Sequence, residues 1–408
     1  MKQGATMFAK RSGGTPRGLA LQGPTILSYG FRPFFLGAGI FAIISMVLWI
    51  CALIEGWPLG GDSYGALYWH SHELLFGYGG AALAGFMLTA IPNWTGRLPV
   101  SGLPLLGLLL LWLAGRIVML SPDYFGVYPA AAVEAAFFPT LAILAAIEII
   151  AGHNWKNLKI VLALIFLSTV NLAFHALVVT GSDPQAILRA GISGFVMLVA
   201  IVGGRMVPSF TRNWMAKAGS PALPSPFDGV DKLALASLAA ALGAWVVAPE
   251  QIATACLCGG AAILHGYRWS RWLGWRTWRE PLLLQLHLAY GFLPIGLVLV
   301  ALAALGAVSR FSALHLLTVG VIGNMTLAVM TRATLGHTGR SLTASWRTTT
   351  AYAALVLAAL LRPLAELVPE HYHHILEVSA AGWILAFTLF VVEYGPFLLA
   401  PRLTSAQR

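Results

Sequence analysis

The chain has 408 residues, 58% of them hydrophobic and only 10% charged. Soluble domains carry roughly 25% charged residues, so a water-soluble globular fold is excluded. The formal net charge of +10 would suit a nucleic-acid binder, but the placement of the cations ties it to a lipid bilayer instead.

The N-terminus carries Lys2, Lys10, Arg11, Arg17 and Arg32 around a Gly/Pro/Ser-rich stretch, "RSGGTPRG". Residues 1–32 therefore read as a flexible, basic cytoplasmic segment. Pro33 to Ile54 then holds no charge and is as long as the roughly 20 apolar residues that cross a bilayer as a helix. It is too long for the apolar part of a signal peptide and lacks a clear small-residue cleavage site, so it is expected to stay as an anchor.

Further apolar runs follow to the end. The predicted spans cover 33–54, 70–92, 100–120, 127–150, 158–180, 186–207, 231–248, 251–268, 282–305, 311–332, 348–367 and 376–399. No strand pattern competes with them. The fold expected is all-α, a polytopic membrane protein of twelve transmembrane helices. A Pro-rich polar stretch at 208–231 reads as a cytoplasmic linker between helices 1–6 (33–207) and helices 7–12 (232–400), with a short tail at 401–408. On this alternation, all of the 25 Lys and Arg except Arg116, Arg189, Arg310 and Arg362 fall on one side. Excess Lys and Arg mark the cytoplasmic side, which puts both termini there.

With direction set, depth follows. The second span opens on "WHSHELLFGY", Trp69 to Tyr78, which places His70, His72 and Glu73 near the outer face. His175 and His315 lie near the outer ends of the fifth and tenth spans. Ionisable groups inside spans are expensive and usually face a cavity or the bundle interior. Imidazole is also the commonest nitrogen ligand for metals and haem. His72, His175 and His315 are therefore expected to converge on one iron or copper. On a helix, His70 and His72 point about 200° apart. They serve two sites on opposite faces, or one ligates while the other hydrogen-bonds. Glu73 would orient a ligating imidazole.

For His153, His265, His371, His373 and His374 the simpler reading is a polar group in the membrane interface. Arg116 and Arg189 sit at a depth that suits haem propionates, or they snorkel to lipid phosphates. Glu134 and Glu393 either carry protons or bond neighbouring helices. Cys51, Cys256 and Cys258 give no disulfide framework and read as packing residues, as do Met87 and Met330.

"GFRPFF" at Gly30–Phe35, "WHSHELLFGY", "TAIPNWTGR" at Thr89–Arg97, "NLAFH" ending at His175, "LHLAYGFLPIG" around His287, and "HLLTVGVIGNMTLAVMTRATLGHTGR" from His315 together resemble the NnrS family. One departure is Leu74, where the family often has Met. The resemblance implies a bacterial cytoplasmic-membrane protein that contains haem, b-type, and copper. It implies a role in nitric oxide metabolism, denitrification and protection from nitrosative stress, with nitric oxide as ligand and a membrane electron donor as partner. The matching positions are His70, His72, Glu73, His175, His287, His315, Asn324, Met325, Arg332, His337 and Arg340. Depth sorts these into an outer group for haem (His72, His175, His315, with His70) and an inner pair, His287 and His337, for copper. "HTGR", which ends in Arg340, resembles an anion-binding turn together with Arg332, or is a solvated topogenic loop. Two other readings compete. One is a haem–copper-oxidase-like redox protein, weakened because spans 6 and 7 hold no histidine. The other is a twelve-helix secondary transporter without haem.

Overall fold

The computed structural model describes residues 23–403. The expected N-terminal segment up to residue 22, and the tail from residue 404, lie outside the described residues. Of the described residues 82% are helical, and no strand occurs among them. Its long helices are α1 (Phe31–Glu55), α2 (Gly61–Thr95), α3 (Leu103–Leu120), α4 (Val127–Ala151), α5 (Trp155–Val179), α6 (Gln185–Lys217) and α7 (Gly229–Val247). They continue with α8 (Ile252–Ser270), α9 (Pro281–Ala304), α10 (Arg310–His337), α11 (Trp346–Ala365) and α12 (Pro369–Leu399).

Eleven of these, all but α8, are long and apolar enough to cross a membrane among the described residues. Helix α8 coincides with the predicted span 251–268 and packs between α7 and α9. Its last turns carry His265, Tyr267 and Arg268, which dilute its apolarity. The count of twelve crossings, and with it the side on which the termini lie, turns on α8.

Two boundaries differ most from the sequence reading. Helix α2 starts before residue 70, and Gly65 (φ 66°, ψ 164°) kinks its first turns. Helix α6 runs through Pro208 to Lys217 instead of ending at the predicted linker. Its Val207, Thr211 and Met215 form a buried stripe at helical spacing. That burial offsets the interior proline, which helices otherwise resist.

Helix α12 returns onto α1 and closes the bundle. Trp383 Nε1 donates to Ala42 O at 2.9 Å, and Arg32 Nη1 donates to Leu398 O and Ala400 O, each at 2.7 Å. Helix α2 is the most interior, with 83% of its apolar window buried against 33% for α1. Ile44, Ile143, Ile147, Leu162 and Ile263 point outward, as lipid-facing side chains must.

Three helices contain π-helical turns: Glu73–Tyr78 in α2, Val199–Gly203 in α6 and Leu316–Gly323 in α10. Such turns concentrate at functional sites. Two of them begin directly after His72 and His315.

Candidate functional site

The densest polar cluster joins α2, α3, α4 and α5. His72 Nδ1 donates to Glu73 Oε1 at 2.8 Å. Its Nε2 faces Asn171 Oδ1 at 2.8 Å and Glu134 Oε2 at 3.3 Å. His175 Nε2 donates to Glu134 Oε2 at 2.7 Å, while its Nδ1 accepts from the Tyr64 hydroxyl at 2.6 Å. Asn171 Nδ2 also donates to Glu134 Oε2, at 2.7 Å. Arg116 closes the group, with Nη1 2.5 Å from Glu73 Oε1 and Nη2 2.5 Å from Glu134 Oε1. His72, Glu73, Glu134 and Asn171 are buried completely or nearly so.

The cluster balances its charge. Both nitrogens of His72 face acceptors, so the arrangement calls for a proton on each. His72 and Arg116 then set two positive charges against the carboxylates of Glu73 and Glu134. Uncompensated ions in such a site are strongly destabilising, whereas a paired and hydrogen-bonded set is tolerated. Glu73 Oε2 and Arg116 Nε keep no partner. Helix α2 admits the guanidinium through Gly77, because a Cβ there would overlap Arg116 and Phe41.

His72, Glu134 and His175 each offer one ligand atom, and these atoms lie within 4.8 Å of one another. Two imidazoles and a carboxylate form a donor set suited to copper, zinc or iron. Asn171, Tyr64 and Glu73 would orient it from behind, as partners of metal-ligating side chains do.

His70 faces the other way. Its ring stacks on Trp49, with centroids 4.2 Å apart and 17° between planes. Together with His315 it lines a cavity of about 320 Å³, bordered by Arg362, Tyr372 and apolar side chains of α1, α2, α10 and α12. That volume falls in the range of cofactor pockets, roughly 300–1,000 Å³. His70 Nδ1 is buried without a partner. His315 Nδ1 donates to Phe311 O at 2.8 Å. This fixes the tautomer and leaves the Nε2 lone pair free for a ligand.

The structure thus brings His72 and His175 together and places His315 with His70. The expected trio is divided between two sites on opposite faces of α2. His287 and His337 do not meet. His287 Nε2 donates to Thr211 Oγ1 at 2.8 Å, the hydroxyl itself donating to Val207 O, and its ring lies where a Cβ on Gly274 would go. His337 packs against Tyr29 and Phe31 and lines a different cavity, which also holds Arg332.

Arg116 is engaged by two acids, and Arg189 donates to Val246 O at 3.1 Å, at the end of α7. Asn324 accepts from Gln285 at 2.7 Å and donates to Val319 O within the π turn, at 2.9 Å. Met325 joins Met87 and Met330 along a narrow apolar cavity. Arg340 lies over the Phe397 ring at 4.0 Å, and Glu393 accepts from Ser345 at 2.7 Å. Cys258 is buried and Cys256 exposed; both are free thiols, as is Cys51.

Sequence reasoning missed Tyr64, Asn171, Trp49 and Arg362. Asn171 did carry a signal, since it precedes His175 by one helical turn and so shares its face. His265, expected at the interface, is fully buried. It bonds Tyr290 at 2.8 Å and Ala234 O at 2.9 Å, beside the Arg268–Asp231 ion pair.

The family described as "NnrS protein" matches residues 25–402, and the chain belongs to that family. No curated protein matches the chain.

Proposed function

Taking membership of the NnrS family as the premise, we propose that this multi-pass membrane protein holds haem and copper in two adjacent sites. With them it protects a bacterium from nitrosative stress by binding or converting nitric oxide or metal–nitrosyl species. The observation that carries this reading is the pairing of His70 and His315 across one cofactor-sized cavity, with His70 Nδ1 unpartnered.

The residues fit a haem in chemistry. His315 would hold the iron through Nε2, because Phe311 O engages its other nitrogen. Trp49 fixes the plane of His70. Arg362 at the cavity edge, paired with Glu366 at 3.1 Å, would supply a cation for a propionate. The apolar remainder of the wall excludes water, and nitric oxide, being small and apolar, reaches it through lipid. Haem bound there would supply an iron that takes nitric oxide and a one-electron couple.

His72, Glu134 and His175 fit copper. A monovalent cation in place of the His72 Nε2 proton preserves the neutrality of the cluster, which favours Cu(I) over a divalent ion. Glu73 and Tyr64 hold the two imidazoles through their Nδ1 atoms, and Asn171 holds Glu134. On this reading the cytoplasmic membrane is the location, with twelve crossings and both termini inside.

The test is haem content and the optical spectrum of purified protein beside His70→Ala and His315→Ala. The expected result is a haem spectrum in the parent chain that is lost in His315→Ala and altered in His70→Ala. A colourless parent protein favours the transporter reading, and unchanged spectra in both variants remove the haem site from this cavity.

A further inference from the structure

A cavity of about 540 Å³ lies apart from both sites, where α1, α2, α5, α6, α9 and α10 meet. Its lining includes three cations from three helices, Lys159, Arg205 and Arg332, and no carboxylate. None of the three makes an ion pair or hydrogen bond among the described residues. Arg332 lies over the Phe210 ring at 4.5 Å, and Arg205 lies 5.8 Å from the centroid of Phe227. Glu280, the acid whose field reaches Arg332, is outside the lining. Asn93 and Asn157 add polar groups at the same level.

Simple topogenic cations would point into solvent or toward lipid phosphates from separate helices. Here they border one concave space whose other walls include His337 beside the apolar Phe35, Phe86, Val202 and Val329. A basic chamber with an apolar interior matches a ligand with an anionic head and a hydrocarbon body. A second cavity of about 70 Å³ adjoins it across a shared wall of Phe86, Val202, Met206 and Val329. Four methionines line that second cavity, Met87, Met206, Met325 and Met330, and the lining holds no charged side chain. Methionine is unbranched and adapts its shape to a flexible chain. The chamber also lies on the side that carries most of the Lys and Arg, where basic pockets between helices receive anionic lipid headgroups.

We propose that this paired cavity is a binding site for an anionic phospholipid, its phosphate held by Lys159, Arg205 and Arg332 and an acyl chain entering the methionine-lined second cavity. The site is separate from the proposed haem and copper positions.

The experiment measures lipid retained by the detergent-purified full chain by native mass spectrometry. It also measures the melting temperature with added phosphatidylglycerol, phosphatidylcholine or inorganic phosphate. Phosphatidylglycerol should co-purify and raise the melting temperature by several degrees, with no comparable shift from phosphatidylcholine. Lys159→Gln with Arg205→Gln, both exposed positions whose replacement leaves the core intact, should cut retention at least tenfold and abolish the shift. Val329→Trp, which fills the shared wall, should reduce retention with the cations in place. Equal shifts from both lipids, retention unchanged in the double variant, or a full shift from phosphate alone would each overturn the proposal. So would loss of the haem spectrum in the double variant, because the cations would then belong to a cofactor's carboxylates.

Discussion

His70 and His72 stand two positions apart on α2 and serve different chambers. The ring of His70 stacks on Trp49 at 4.2 Å, while His72 bonds Glu73 and Asn171, each at 2.8 Å. One short helical stretch thereby borders both proposed metal positions, and substitutions behind one should leave the other intact. Asn171→Ala and Tyr64→Phe remove the partners of Glu134 and His175 without removing a ligand. Loss of such orienting bonds commonly lowers metal affinity about 10–100-fold. Copper titration against a competing chelator should show that loss, with the haem spectrum unchanged. Copper affinity equal to the parent's would move the copper elsewhere.

Arg116 is the linchpin of charge in the cluster, 2.5 Å from both Glu73 and Glu134. Arg116→Leu leaves two buried carboxylates with too little positive charge. Removing one partner of a buried ion pair costs about 3–5 kcal/mol. A large fall in melting temperature and in yield of folded protein is expected. Arg116→Leu combined with Glu134→Gln removes a charge of each sign and should recover part of the loss. A double variant less stable than the single one would contradict the charge balance described above.

Eleven of the twelve spans and the opposite-face split of "HSH" were legible because they follow from the fixed length and periodicity of the helix. Level along the helices was legible in pairs, since His72 meets His175 and His70 shares a cavity with His315. Rotation about each helix axis was not. His315 turns toward His70 and away from His72 and His175, and nothing in the spacing of α10 specifies that. The π turns Glu73–Tyr78 and Leu316–Gly323 add to the difficulty. Each inserts residues into the helical register and swings the side chains beyond it by an angle that composition does not reveal. Arg116 shows the same limit. Its depth was visible, but its partners come from α2 and α4, and that three-helix meeting exists only in the packed structure.

Gly77 is where close approach is enforced by the absence of a side chain. A Cβ there would overlap Arg116 and Phe41, while one at Gly107 of α3 meets nothing within 4 Å. Gly77→Ala should therefore destabilise by about 1–3 kcal/mol through overpacking. Gly107→Ala should be neutral or stabilise slightly, because alanine favours the helix by up to about 1 kcal/mol. Melting temperatures of the two variants in the same detergent decide the matter. Equal effects would mean that α2 and α3 are not held as closely as the Trp112 Nε1–Gly77 O bond of 2.9 Å indicates.

Outside the spans, Asp228 links the start of α7 to the end of α8. It accepts from Val230 N at 2.9 Å, completes a capping box with Asp231, and pairs with the guanidinium of Arg271. The Arg271 hydrogen bond, ahead of the Val230 and Asp231 contacts, holds its carboxyl at about 2, below the usual 3.8. A carboxylate with a depressed folded pKa stabilises above its unfolded pKa and loses that contribution as pH falls toward the folded value. The contribution should thus be complete above about pH 5 and fade between about pH 4 and pH 2. Because the group is exposed, it should also shrink with added salt. Melting curves of the parent and Asp228→Asn should differ by a constant interval from about pH 7 to pH 5 and converge below about pH 4. An interval that persists undiminished at pH 3 would assign the effect to the loss of the cap alone and not to the Asp228–Arg271 charge pair.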